Sequence, residues 1–587
     1  MPLYRASRLF TIIATFLLFA CSNSEYMDEF GIPTSMHIYN EDALDKQSLP
    51  DTLNEFPASG FFTKPFTIVL PKSINCETGG FIPTKKSPFI KTLHIDSSTT
   101  IRCADLSNDS SLTKETIHTY LFEKKTTIPA VFITTDPNSL FDPDTGIYTE
   151  GPNAEAKEPH YGANYWLDKE IPIFIEFIET TSSSPDFAQK AGLKIFGNFS
   201  RIHPKKSVVV TFRKQYGENR LNYNLFPDFP NLNRFKNIVF RNLGTGFERD
   251  YIRDRLATSI SEGLNVDYQR GRFVIVFYNG KYFGIHDMRE RSNEYYFETH
   301  YGINHNNINL LKADNSASAG SSDDFRSLIN WLDTHSLDNE KNYMYIASKI
   351  DIDNYINYMQ VEIYTNNHDW LSNNLKKWNS VNPQTKWKWF LYDFDRSFGV
   401  KNSNITNNIF EFITSMREHT PLYHSLIKNN NFRFSFINRM SVLLQTNFDS
   451  QRVVAQVDKL MAEIESEILR DQKRWSLDSD KMDNQLEIIK LFAKNRPSYI
   501  IKHLQEHFNL GETISVTLAT NGNGSILVHN LPLDKSSLTI PFFKDIPVTL
   551  TAKPQNGSKW SHWSDGDTNT TRIIYPKNKT SITAIFK

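Results

Sequence analysis

The sequence predicts an α+β protein: a mixed central region flanked by two small all-β segments. Three observations carry this. Before residue 125, short runs rich in β-branched and aromatic residues, such as FTIVLP and TTIRCADL, are separated by Gly, Pro, Ser and Asn. From Val453, apolar residues recur at Val453, Val457, Leu460, Ile464 and Ile468, the spacing of a helix with one solvated face. Beyond residue 511 the chain returns to Thr-, Ile- and Val-rich runs. A length of 587 residues suggests roughly three or four domains, and 39% hydrophobic with 13% aromatic residues can fill their cores. A net charge of −1 gives no pull on a polyanion, so no nucleic-acid partner is expected. A mean hydropathy of −0.46 excludes a multi-span membrane protein.

At the N-terminus, Arg5 and Arg8 precede the apolar run LFTIIATFLLFA, residues 9–20, which is too short to span a bilayer comfortably. Basic start, apolar middle and small residue before a cut describe a signal peptide. The stretch LFAC, residues 18–21, resembles the bacterial lipobox. The resemblance implies removal of residues 1–20 and acylation of Cys21. The polar residues 21–55 then form a tether, and the expected location is the cell envelope: exported, lipid-anchored, periplasmic or outer-surface. Cys76 and Cys103 remain, and an exported chain could hold them as one disulfide or as two free buried thiols.

Residues 56–125 read as a β-sandwich-like accessory domain. Residues 126–510 follow as the large mixed region. Its strand candidates include IPAVFITT, IPIFIEFIE, KSVVVTFR and NIVFRNL, and Asn279-Gly280 between two apolar runs is a strong hairpin signal. YIRDRLATSISEGL (251–264) reads as a helix, and WKWFLYDFD (387–395) as a strand. A second helical run covers 486–508, with Pro497 expected at a helix start or kink. Residues 511–587, marked by NGNGS and KWSHWSDG, resemble a small β-repeat of secreted bacterial proteins. Trp560 and Trp563 there could stack on sugar or fill the core.

The chemistry concentrates in FLYDFDRSFG, residues 390–399. On a strand, Asp393 and Asp395 would project from the same face. Such a pair needs a cation, either a basic side chain (Arg396 is adjacent) or a metal ion. Three blocks stand out around it: FGNFSRIHPKKSVVVTF (196–212), FYNGKYFGIHDMRERS (277–292), and TNNHDWLSNNLKKWNS with KWKWFLYDFDRSFG (365–380, 386–399). With TTDPNSLFDPDTGIY (134–148), RNLGTGFERDYIRDRLA (241–257) and RPSYIIKHLQEHF (496–508), and in this order, they resemble the CotH-kinase family, the secreted and spore-coat atypical kinases, over about residues 128–510.

The resemblance implies an atypical kinase-like, two-lobed central domain that uses ATP with Mg or Mn. It implies transfer of the γ-phosphate to a Ser or Thr hydroxyl of a secreted or surface protein. Asp369, in NNHDWLSNN, matches the family's catalytic aspartate, 24 residues before Asp393. Asp393, Asp395 and Asn374, the last five residues after Asp369, match the metal positions. Tyr392 stands where the family usually has Trp. Lys206, Arg201 and Glu290 are the nucleotide-binding candidates, with Lys206 on the phosphates and Glu290 orienting Lys206. Arg253 and Asp254 read either as support behind the site or as a helix-surface ion network. The tryptophans at 370, 378, 387 and 389 read as core, and His368 as structural. The alternative reading is a non-catalytic cell-surface binding or adhesion lipoprotein whose terminal β-domains recognise polysaccharide.

Overall fold

A computed structural model describes residues 52–53, 55–106, 115–400 and 404–587. Cys21 and the expected signal peptide and tether up to residue 51 lie outside the described residues. The chain divides into two compact units: residues 1–219 with 273–286, and residues 220–272 with 287–587. Helices and sheets are mixed throughout, as the α+β reading requires.

In the first unit, a six-stranded sheet runs in the order Thr52–Leu53, Phe66–Thr78, Thr99–Ala104, Thr116–Leu121, Gly60–Phe61, with Phe89–Ile95 also on Phe66–Thr78. Phe66–Thr78 pairs with Phe89–Ile95 at Phe66–Val69 and again at Ile74–Asn75, and its far end, Asn75–Thr78, also faces Ile101–Ala104. One long strand therefore joins the strands of the expected sandwich-like segment into a single sheet. Its inward side chains, among them Ile68, Leu93, Ile101 and Tyr120, form one core. Cys76 and Cys103 sit opposite each other in that core, joined as a disulfide. This decides between the two readings of the cysteines.

The same unit holds the antiparallel run Ala130–Thr134, Ile171–Ile178, Phe187–Ile195 and Val208–Thr211, with Ile275–Tyr278 parallel to Ala130–Ile133. Ala130–Thr134 and Val208–Thr211 are buried at every position, which is why they read as unbroken apolar runs rather than alternating ones. Asn279 and Gly280 have φ of 50° and 79°, the positive pair that a type I′ hairpin turn demands.

In the second unit, Ile238–Arg241 pairs antiparallel with Asp287–Glu290. A five-stranded sheet follows in the order Asp267–Tyr268, Lys388–Leu391, Lys376–Ser380, Ile308–Leu311, Ala317–Ala319. The helix Ile352–Thr365 is buried from Asn354 to Thr365 and leads into the NNHDW loop. The helix Ser450–Trp475 buries Val453, Val457, Leu460, Ile464 and Ile468, the predicted stripe. The last helix begins earlier than expected, at Ser479 behind the N-cap Asp478, so Pro497 lies inside it and marks no start. A proline there cannot donate to the carbonyl four residues back. Ser450 Oγ donates to that carbonyl, Ala493 O, at 2.9 Å instead. Two four-stranded sheets close the chain, and Trp563 is fully buried between them, so it is core; Trp560 packs on Trp563 and Phe586.

Candidate functional site

Asp369, Asn374, Asp393 and Asp395 come together within the second unit. The helix Ile352–Thr365 ends on Asn366, whose left-handed backbone turns the chain into the loop. Asn367 Oδ1 then accepts from Asp369 N–H at 3.0 Å. The buried Trp370 ring anchors the next position, its Nε1–H donating to Tyr358 Oη at 2.7 Å. Asn374 Nδ2 lies 3.2 Å from Asp369 Oδ2 and 3.3 Å from the Asp393 carbonyl, so one carboxamide joins the two aspartates.

The structure corrects the strand reading of Asp393 and Asp395. The strand ends at Leu391, and Asp393 has a φ of 63°. A turn, not strand alternation, brings the two carboxylates to one cation. That cation is Arg241, not the adjacent Arg396. Its Nη2 donates to Asp393 Oδ1 at 2.6 Å and to Asp395 Oδ2 at 2.9 Å, while Nη1 reaches Asp395 Oδ1 at 3.0 Å and Asp254 Oδ2 at 2.7 Å. Arg396 Nη1 instead lies 3.9 Å from Asp369 Oδ1. Gly244 is required beside this cluster: a Cβ there would sit 1.9 Å from Asp395 Oδ2.

Arg253 and Asp254 are buried supports rather than a surface network. Asp254 Oδ1 accepts from Phe394 N–H at 2.8 Å, pinning the residue between the two aspartates. Arg253 Nη1 donates to the Ser397 and Phe398 carbonyls at 2.6 and 2.8 Å. Arg289 pairs with both Asp254 and Asp287. Burial alone would push the Asp254 carboxyl up, but Arg289 and Arg241 override it and hold it well below the usual range. Asp393 goes the other way: loss of hydration among its packed neighbours raises it, Arg241 opposes, and the Asp254 and Asp369 carboxylates add to the rise.

Backbone strain gathers here. Asn366, Leu371, Asn374, Asp393 and Phe398 all have positive φ, between 28° and 73°. Non-glycine residues adopt that region at a cost, and such outliers cluster where a site must be held in a set shape.

The donor chemistry fits a hard divalent cation. Asn374 donates through Nδ2, which leaves its Oδ1 for a metal, and the Asp393 carboxylate is 38% exposed with only Oδ1 on Arg241. Asp369 stands beside them. Both Asp395 oxygens receive Arg241. Among the described residues no three His, Cys, Asp or Glu side chains are grouped to hold an ion. Mg²⁺ is commonly bound by one or two carboxylates, with phosphate and water completing its shell.

The model of the CotH kinase protein family matches residues 193–500, just over half of the chain. The chain belongs to the CotH kinase family. A comparison with curated proteins finds no match.

The remaining CotH candidates have local partners. In the first unit, Lys206 is buried under the Tyr165 ring, 4.0 Å from its centroid, and donates to Arg201 O at 2.6 Å and His203 O at 3.0 Å. Arg201 Nη1 donates to Tyr165 O at 2.7 Å, closing the same small cage. Burial pushes the Lys206 ammonium down to about 7, Glu150 opposing and Arg201 assisting. In the second unit, Glu290 Oε1 takes His300 Nε2 at 2.6 Å and Oε2 takes Arg270 N–H at 2.9 Å. Lys206 and Glu290 thus belong to different units, and each has these local partners within its own unit.

Sequence reasoning missed Arg241, Glu362 and Lys376. Arg241 opens RNLGTGFERD, a block already notable, and the aspartate pair demanded a cation; nothing in spacing linked the two. Lys376 Nζ donates to Ser292 O at 2.8 Å and lies 4.5 Å from the Tyr392 ring centroid.

Proposed function

We propose that this CotH-family chain is an exported, lipid-anchored atypical kinase that moves the ATP γ-phosphate to a Ser or Thr hydroxyl of a secreted or surface protein. The observation that carries the reading is the Asn374 carboxamide, hydrogen-bonded to the Asp369 carboxylate and the Asp393 carbonyl at once. It ties the candidate base to the candidate metal ligand, the two functions a phosphoryl transfer must hold in register. The acceptor oxygen bonds to the γ-phosphorus, the bond to the bridging oxygen of ADP breaks, and Asp369 takes the hydroxyl proton. Asp393 and Asn374 hold Mg²⁺ or Mn²⁺, which offsets charge on the phosphates. Arg289 and Arg241 keep Asp254 ionised, and Arg241, bonded to both Asp395 oxygens, keeps the turn closed. Lys206 meets the phosphates as an ammonium, since an anion beside it favours the protonated form. Cys21 carries the lipid and keeps the enzyme at the envelope.

Labelled ATP with Mn²⁺ or Mg²⁺ tests this, using the wild-type chain beside Asp393→Ala and Asp369→Ala. Incorporation into the chain itself or into a cell-surface extract is expected from the wild type alone. No incorporation by any of the three overturns the kinase reading in favour of a non-catalytic surface-binding protein. Equal incorporation by all three overturns the residue roles.

A further inference from the structure

Glu362 is a carboxyl with no solvent exposure, on the helix that delivers the NNHDW loop. Its Oε2 accepts from Asn367 Nδ2 at 3.0 Å, and its Oε1 is buried on the side of Tyr358. The Tyr358 side chain, one helical turn earlier, neighbours it and also receives Trp370 Nε1–H. The other end of the Asn367 carboxamide accepts from Asp369 N–H. A single side chain thus spans from a helix-borne carboxyl to the backbone of the candidate base. A buried acid is an expensive way to satisfy one amide, since an apolar residue would pack there at less cost.

We propose that Glu362 is a positioning residue, acting through the Asn367 carboxamide to fix the backbone at Asp369 and so the direction of its carboxylate. This rests on the kinase reading for its consequence but not for its geometry. Two restraints then act on Asp369 from opposite ends. Asn374 holds its carboxylate, and the Glu362–Asn367 bridge holds its N–H. The carboxyl is neutral in this role: burial drives it well above the usual carboxylate range, with Asn367 and Tyr358 opposing. A glutamine is therefore the conservative replacement, since its carbonyl can accept from Asn367 in the same way. The strained neighbours Asn366 and Leu371, with φ of 54° and 73°, show why the loop needs such a brace.

The test uses the full chain with Glu362→Gln, Glu362→Met and Asn367→Ala, read in two ways. Amide hydrogen exchange is followed on a peptide covering residues 367–374, with one from the distant helix Asn430–Leu443 as control. Exchange at Asp369 quickens in Glu362→Met and Asn367→Ala, stays at the wild-type rate in Glu362→Gln, and the control peptide is unchanged. Phosphoryl transfer per folded molecule falls on the order of 10- to 100-fold in kcat in Glu362→Met and Asn367→Ala, with KM for ATP unchanged, because misplacement of a reacting group acts on the chemical step. Glu362→Gln restores it. Unchanged exchange at Asp369 in Glu362→Met and Asn367→Ala overturns the proposal, as does wild-type kcat in both. If the wild type transfers no phosphate, the kinase reading fails while the exchange data still decide the positioning role.

Discussion

Arg241 grips Asp393 from a strand 152 residues earlier in the chain, Nη2 to Oδ1 at 2.6 Å. The same guanidinium serves Asp395 and Asp254, so three carboxylates lean on one cation. Removing it takes the shared cation away from three clustered carboxylates, of which Asp254 keeps Arg289. Arg241→Ala is expected to cost about 3–5 kcal/mol. Arg241→Lys recovers only part of this, since an ammonium lacks the planar fork that meets Asp395 with two bonds. Urea denaturation followed by tryptophan fluorescence measures both. Millimolar Mn²⁺ should restore more stability to Arg241→Ala than it adds to the wild type. A variant within about 0.5 kcal/mol of wild type, the range of ordinary surface substitutions, would show that the cluster holds itself together by other means.

Asp254 gives the acid limb of stability. Its folded-state value is depressed by Arg289 and Arg241 against the effect of burial. A depressed carboxylate contributes stability that is fully present above its unfolded value, near 4, and is lost as pH falls toward the folded value. Unfolding free energy of the wild type should therefore fall steadily from about pH 4 downward. Asp254→Asn should be less stable at pH 7 and show a shallower acid slope. Urea midpoints at pH 7, 4 and 3 compare the two; parallel slopes would remove Asp254 as the source.

Much of the fold was legible because local pattern decides it. The Val453–Ile468 stripe, the Asn279-Gly280 turn and the start of the strand in WKWFLYDFD all appear where periodicity and turn chemistry place them. The Asp369–Asn374–Asp393 grouping was legible through family resemblance. What was hidden depends on contacts distant in sequence. No local rule joins Arg241 to Asp393, Ser450 to the carbonyl freed by Pro497, or Glu362 through Asn367 to the Asp369 backbone. The strand reading of Asp393 failed for a different reason. A left-handed backbone at an aspartate is a local cost that only the surrounding cluster can offset, and propensity alone does not foresee it.

On the proposed kinase reading, with Lys206 on the phosphates, nucleotide binding should depend on pH. Burial brings the Lys206 ammonium down to about 7, so the free protein loses the charge as pH rises through neutrality. A bound phosphate favours the charged form, so ATP must carry a proton onto Lys206 above that pH. KM for ATP should therefore climb above about pH 7, by up to about 10-fold per pH unit. Lys206→Arg, which stays charged, should flatten the climb, and Lys206→Met should raise KM at every pH and lose the slope. A wild-type KM flat from pH 6.5 to 9 would separate Lys206 from the phosphates.

The Cys76–Cys103 disulfide should stabilise without touching the chemistry. It closes a separation of 27 residues between two buried, directly opposed strand positions. Restricting the unfolded chain by a loop of that length is worth about 3.5 kcal/mol in the chain-entropy account. Cys76→Ala with Cys103→Ala forfeits this and also empties the core of two sulfur atoms, so the loss should be no smaller. The carboxylate cluster draws no residue from that sheet, so phosphoryl transfer per folded molecule should match the wild type. Thermal unfolding and labelled-ATP incorporation on the same preparations check both halves. A large fall in transfer at unchanged folded fraction would mean that the sheet takes part in the reaction after all. Because both sulfurs are buried, mild reductant added to the folded protein should act slowly, and its effect should approach that of the double variant only when urea opens the sheet.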